Sequence, residues 1–313
     1  MTWLFVALAG YLFNAVAAIF DKFLLSDRIK APAAYAFYVS IFSLFALGFI
    51  LTGGFQWSNG VAAGISILSG AVFLYALVAF YVAVKRHEVS RVAPLVGTVS
   101  SIAVFVAALL PGLAGSADVN GALAILSLLL LIGGGLLISF DLPFRRGEHI
   151  PILPVLAAGI GMGLSLFLLK EAYAESNFVT GLVWSRIGMF VGGMSLLFVP
   201  TYRRDIFGHT GESSAAPKRA ASTGAYFILN KTCAGVGTFL VSYAISLGSV
   251  AFVQALSGMQ YVFLLMIAFP LSFRFPAIYG EKLLFWDWFQ KVVAIAIIGF
   301  GLWVASTSGV IIM

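Results

Sequence analysis

The chain has 313 residues, of which 61% are hydrophobic and 10% charged, and its mean hydropathy is +1.05. Soluble domains are about 45–50% apolar and about 25% charged, so this composition excludes soluble enzymes, nucleic-acid binders and secreted scaffolds and points to a chain that lives in a bilayer. The net charge of +6 names no partner, because basic residues on a membrane protein record its orientation, and the single cysteine, Cys233, excludes a disulfide framework within the chain.

Apolar runs occupy 3–24, 34–52, 61–84, 91–112, 119–140, 150–171, 178–199, 222–246, 249–273 and 285–311. Each is close to the roughly 20 residues that a spanning helix needs. The runs are continuous, whereas a barrel strand alternates, so helices are expected. No basic residue precedes the first run, which therefore reads as a retained helix and not as a cleaved leader. Ala31-Pro32, Gly53-Gly54, Pro111-Gly112, Pro143 and Pro151 punctuate the ends of runs. The longest connection, 200–221, carries Arg203, Arg204, Asp205, His209, Gly211, Ser213, Ser214, Pro217, Lys218 and Arg219 and reads as a flexible solvated connector.

Odd-numbered connections hold 14 of the 18 Lys and Arg residues, even-numbered ones only Lys170, and Arg186, Lys231 and Lys291 lie inside runs. The positive-inside rule then makes the odd connections cytoplasmic and puts both termini outside, in a multi-pass protein of the cell (inner) membrane. A half with five spans must be followed by a copy that enters upside down. Basic connections follow the first and third helices of residues 1–145 but the second and fourth of residues 146–313, as an inverted repeat requires. At a fixed offset of 161, Ala83, Val89, Val92, Leu95 and Gly97 match Ala244, Val250, Val253, Leu256 and Gly258. The expected fold is an all-α integral membrane protein with ten transmembrane helices arranged as two inverted five-helix repeats.

The segment Tyr243 to Val253, then Gly280-Glu281-Lys282, then Lys291 through Gly299-Phe300-Gly301-Leu302 resembles the second repeat of EamA-like members of the drug/metabolite transporter superfamily, and Val89 to Leu95 is similar to the opening of the fourth helix in the first repeat. The resemblance implies a ten-helix carrier that works by alternating access. Two departures stand out. Pro111 to Asn120 carries no glutamate, so Glu281 has no counterpart and reads as structural. Where related four-helix exporters place a glutamate in their first helix, this chain has Asn14, which argues against proton-coupled export of organic cations.

Charge in the hydrocarbon core costs at least about 2.5–3.5 kcal/mol, so each intramembrane ion asks for a reason. Arg186 and Lys231 fall about 12–14 Å into the seventh and eighth runs at 1.5 Å per residue. No acidic residue is comparably deep: Asp21, Glu171, Glu175, Glu281 and Asp287 lie near helix ends. Two deep cations without a deep anion suggest an electropositive central cavity; bonding to backbone carbonyls, or snorkelling, is the competing reading. Lys231, Gly235, Thr238 and Ser242 recur at helical spacing, as do Gln254, Ser257, Gly258 and Tyr261, and Tyr11, Asn14 and Ala18. Such stripes suit a shared cavity or close helix packing. The expected substrate-binding set is Tyr11, Asn14, Arg186, Lys231, Gln254, Ser257 and Tyr261.

His87, His149 and His209 fall in connections without metal-ligand spacing, and no run carries paired deep carboxylates, so no catalytic site, metal or cofactor is expected. Trp3, Trp57, Trp286 and Trp288 read as interfacial anchors, while Trp184 is deeper. The expected function is secondary transport, most simply export, of a small anionic or zwitterionic metabolite by a chain expected to be monomeric, with a dimer as the alternative. The alternatives are a flippase for a lipid-linked anionic headgroup and a membrane scaffold without transport.

Overall fold

The computed structural model describes residues 2–25, 31–57, 60–86, 89–109, 122–139, 152–208, 217–274 and 285–307. Among these residues all regular structure is helical. The chain runs through α1 Thr2–Phe23, α2 Pro32–Ser43, α3 Gly60–Arg86, α4 Val89–Leu109, α5 Ala122–Ser139 and α6 Ile152–Glu175. It continues through α7 Phe178–Ser195, α8 Pro200–Gly208, α9 Pro217–Leu247, α10 Val250–Ala255, α11 Ser257–Arg274 and α12 Phe285–Thr307. A 3-10 segment, Leu44–Thr52, prolongs α2 and ends at Gly53, whose φ of 76° is the left-handed conformation that glycine adopts freely.

Among the described residues, seven helical segments are long and apolar enough to cross a membrane, including Thr2–Phe23, Gly60–Lys85, Ile152–Glu175 and Ser222–Leu247. Val92–Ala108, Ala122–Ile138 and Phe289–Ala305 are shorter apolar helices. Large apolar side chains such as Phe45, Leu51, Leu153, Phe198 and Trp303 stand exposed on the outside. A soluble protein rarely carries so large an apolar exterior, whereas lipid accommodates it. The helices fit a multi-pass all-α membrane protein.

Two boundaries differ from expectation. The connection expected over 200–221 contains α8 and the first turn of α9, each opening on a proline whose fixed φ suits the first helical position. Ile206 is the buried anchor of α8, which packs on α2. The ninth run is interrupted: α10 ends at Ala255, Leu256 forms a turn, and α11 starts at Ser257. The connection Pro111 to Asn120 and the Gly280-Glu281-Lys282 motif lie outside the described residues.

Small residues set the closest approaches. A Cβ on Gly70 of α3 would stand 1.8 Å from the carbonyl oxygen of Ser185 on α7, and one on Gly188 of α7 would stand 2.1 Å from the carbonyl oxygen of Ile67 on α3. The two helices therefore meet backbone to backbone through reciprocal glycines, the packing that hydrocarbon surroundings favour. Gly10 of α1 and Gly237 of α9 do the same: a Cβ on either would lie 2.9 Å from the other's carbonyl oxygen. On the α3–α6 seam, Ser69 Oγ donates to the Ser165 carbonyl at 2.8 Å and Ser165 Oγ donates to the Ser69 carbonyl at 2.9 Å.

Gly70→Ala should cost on the order of 1–3 kcal/mol, because the obstacle is backbone and cannot rotate away. Gly64→Ala, on the same helix with nothing within 4 Å of the added Cβ, should be neutral or stabilising by about 0.5–1 kcal/mol. Thermal unfolding of the two purified variants in one detergent checks the contrast; equal shifts would contradict the close approach.

Candidate functional site

The expected site residues divide among three places. The first is a buried polar centre where α1, α2, α3 and α9 meet. Helices α1 and α9 run antiparallel, with Trp3 against Gly248 at one end, Gly10 against Gly237 midway, and Asp21 against Asn230 and Lys231 at the other. Lys231 Nζ lies 2.7 Å from Asp21 Oδ1, and the two side chains are 4% and 13% exposed. The same carboxylate oxygen accepts from Tyr35 Oη at 2.5 Å and from Asn230 Nδ2 at 2.6 Å. Lys231 Nζ also sits 4.6 Å from the centre of the Tyr35 ring and 5.7 Å from that of Phe227, and it approaches Tyr81 Oη at 3.5 Å.

This corrects the expectation that Lys231 has no anion at its depth. Helix α9 starts at Pro217, five residues before the apolar run at 222–246. About 21 Å of helix therefore precedes Lys231 at 1.5 Å per residue. The side chain lies level with the last turn of α1, where Asp21 stands. Lys22, next to Asp21, donates to the Val84 carbonyl at 3.2 Å near the end of α3.

The second place surrounds Arg186. Asn177 caps α7 by accepting from Thr180 N at 2.8 Å, and its amide donates to the Gly54 carbonyl at 2.9 Å. Thr180 Oγ1 accepts from Gln56 N at 2.9 Å, so the 54–56 connection is stitched to the start of α7. Arg186 follows two turns later and lines a cavity of about 30 Å³ with Ser69, Ser165, Ser185, Thr238 and Ser242. That volume holds roughly two waters and no metabolite. Arg186 Nη1 lies 3.9 Å from Met189 Sδ, and no carboxylate pairs with the guanidinium among the described residues. Tyr173 Oη is buried within electrostatic reach of Arg186 and beside the Ser242 hydroxyl. Trp184 turns the other way, towards Phe55 and Trp57, with ring centres at 6.5 and 6.3 Å.

The third place is a seam, and it holds most of the remaining expected residues. Where the break at Leu256 interrupts the helical ladder, Tyr11 Oη donates to the Val253 carbonyl at 2.6 Å and Ser101 Oγ donates to the Gln254 carbonyl at 3.0 Å. Gln254 Nε2 donates to Ser100 Oγ at 3.1 Å, and Ser257 Oγ lies 3.5 Å from Ser101 Oγ. The Tyr261 hydroxyl fills the space that a Cβ on Gly97 would need, and Asn14 packs on Gly237. Tyr11, Gln254, Ser257 and Tyr261 thus join α1 and α4 to the broken helix and do not line the Arg186 cavity. The three stripes do not converge on one chamber.

Sequence reasoning missed Asp21, Tyr35, Tyr81 and Asn230. The available signal is an acidic residue one turn from the end of an apolar run, a position that reads as the membrane surface. Lys170, the lone basic residue of the even connections, donates to the carbonyls of Ile245 and Gly248 at 2.9 Å each and so caps the end of α9. Compared with known proteins, the chain matches no family model and no curated protein.

Removing one partner of a buried ion pair leaves the other uncompensated, at a cost of about 3–5 kcal/mol. Asp21→Asn and Lys231→Met should each lower stability by that order, and the double variant D21N/K231M should recover most of the loss. A double-mutant cycle by thermal or denaturant unfolding checks this; additive losses would mean that the two groups do not interact.

Proposed function

We propose that the chain is a secondary transporter of a small anionic or zwitterionic metabolite, with Arg186 as the group that receives the anion. The observation that carries this reading is the state of Arg186: it lines a cavity inside an apolar helical bundle and has no carboxylate partner among the described residues. A cation there is costly, and intramembrane ions mark substrate or ion pathways. The hydroxyls of Ser69, Ser165, Ser185 and Thr238 around it donate to backbone carbonyls in this state and would have to rotate away from them to face an anion. The cavity is too small for a metabolite, so cargo entry requires the helices around it to move apart.

Alternating access between two inverted five-helix repeats is the proposed mechanism. The two halves make matching interactions, which supports it. Lys22 of α1 donates to the Val84 carbonyl at the end of α3, and Lys170 of α6 donates to the Ile245 carbonyl at the end of α9. Val84 and Ile245 are related by the same offset of 161 as the sequence identities. Helix α1 packs on α9 as α6 packs on α3, and α4 packs on α6 as α11 packs on α1. The resemblance of 243–302 and 89–95 to EamA-like transporters points to the same class. With the basic connections on the cytoplasmic side of a cell membrane, the Asp21–Lys231 centre faces the inner half and the Arg186 cavity the outer half.

Purified protein in proteoliposomes, given labelled pyruvate, succinate, alanine and a sugar phosphate in turn, should move at least one of them down its gradient. Arg186→Gln should cut that flux at least tenfold without a matching loss of unfolding temperature, while Arg186→Lys retains part of it. Absence of flux for every solute, or flux indifferent to Arg186→Gln, would overturn the reading; stabilisation by an anionic lipid headgroup alone would redirect it to a flippase. A reporter fused after Met313 should be active only on the outer side, and a cytoplasmic signal would reverse the orientation.

A further inference from the structure

The centre at Asp21 has the construction of a binding site. Three donors from three side chains, Lys231 Nζ, Asn230 Nδ2 and Tyr35 Oη, converge on one carboxylate oxygen at 2.7, 2.6 and 2.5 Å. Lys231 and Asn230 stand on α9 and Tyr35 on α2, so the donors are fixed independently of α1, which brings the carboxylate. The centre is also the repeat-related counterpart of the Arg186 cavity. The offset of 161 that carries Val84 to Ile245 carries Ser69, Gly70 and Tyr81 to Asn230, Lys231 and Ser242. Ser69, Gly70 and Ser242 line the cavity, while Asn230, Lys231 and Tyr81 surround Asp21. The two places are equivalent compartments of the two halves, one of them filled by the protein's own carboxylate.

We infer that Lys231, Asn230 and Tyr35 form a second station for the cargo, specific for a carboxylate, which Asp21 occupies as a tethered substitute while the inner half is closed. The inference rests on the transport reading for its role in the cycle. When the inner half opens and α1 draws Asp21 away, the cargo carboxylate replaces it on Lys231, so that the lysine is never left uncompensated. One further group narrows the class. Asn230 Oδ1 is fully buried and has no donor. The Asp21 side chain has only a methylene beside its carboxylate and cannot satisfy it. A 2-hydroxy or 2-amino carboxylate carries the missing donor on the adjacent carbon. Phosphate esters are disfavoured, because a single ammonium beside two neutral donors matches one negative charge.

The test is chemical rescue. Asp21→Gly empties the station and leaves Lys231 unpaired. In purified D21G, acetate at 20–100 mM should raise the unfolding temperature by several degrees beyond chloride at equal ionic strength, and glycolate should raise it further, by mass action on the folded state. Wild type, whose station is filled, and D21G/K231M, which lacks the cation, should show no carboxylate-specific gain. Should D21G not be recovered, D21A with formate carries the same comparison, and recovery of monodisperse protein only when formate is present counts as rescue. No gain over chloride, or an equal gain in D21G/K231M, overturns the station; glycolate no better than acetate overturns the adjacent-donor assignment. A purely structural pair is separated by flux. D21N/K231M, which keeps a neutral centre, should lose carboxylate flux at least tenfold at near wild-type stability, and unchanged flux overturns the station while the Arg186 reading survives. If wild type moves no solute at all, the transport reading fails and the rescue alone decides whether the carboxylate site exists.

Discussion

The cost of holding charge in an apolar medium is the constraint on which this arrangement turns. An ammonium on α9 requires compensation within reach of its four-carbon stem, and Asp21 is where α1 supplies it. That requirement also fixes the register of the two helices. With Asp21 level with Lys231, Gly10 falls on Gly237 and Trp3 on Gly248, so each contact along the seam agrees with the ion pair. A slip of one turn would break the pair and drive Gly237 away from the one residue of α1 that allows backbone contact. Coulombic and steric requirements select the same alignment, which is how a sequence specifies one packing.

Backbone groups meet the same constraint. Hydrocarbon offers no partner to a free carbonyl, so every interruption of a helix has to be answered by a side chain. Tyr11 and Ser101 answer the break at Leu256, Lys22 the end of α3, and Lys170 the end of α9. These polar residues are accounted for by the fold. Arg186 is different in kind, because among the described residues its guanidinium meets a thioether and no carboxylate. The case for function rests on that difference and not on the number of polar residues in the membrane.

The helices were legible because apolar runs of spanning length have few other outcomes in this solvent. Helix α8 was not, because Arg203, Arg204 and Asp205 make it polar and a short polar helix reads like a connector; Ile206, with Tyr202 beside it, ties it to the core. The break after Ala255 was hidden inside an uninterrupted apolar run, although the small pair Ser257-Gly258 stands at its edge. Arg186 was legible by depth alone. The partner of Lys231 was not, for two reasons. Depth counted from the edge of an apolar run is measured along one helix and does not say which residues of two packed helices stand level. Periodicity describes one helix at a time, whereas Asp21 lies 210 residues away in sequence. The stripe that joined Lys231 to Thr238 and Ser242 spans about three turns, enough to carry its lower member into one compartment and its upper members into another.

In the proposed mechanism this separation becomes functional. A carrier with inverted repeats has two compartments that exchange roles, and if they were filled alike its two end states would have similar energies whether or not cargo was present. Here the compartments differ: one holds a complete ion pair and the other a cation with no carboxylate beside it among the described residues. An anion arriving at Arg186 stabilises the state in which that compartment is closed around it, and it can do so only to the extent that its affinity for the two states differs. The ion pair supplies the opposing term, since it must separate before the inner half can open. Tying that separation to the arrival of a second carboxylate lets the cargo replace what opening removes. An empty carrier, with nothing to replace Asp21 on Lys231, keeps its inner half shut.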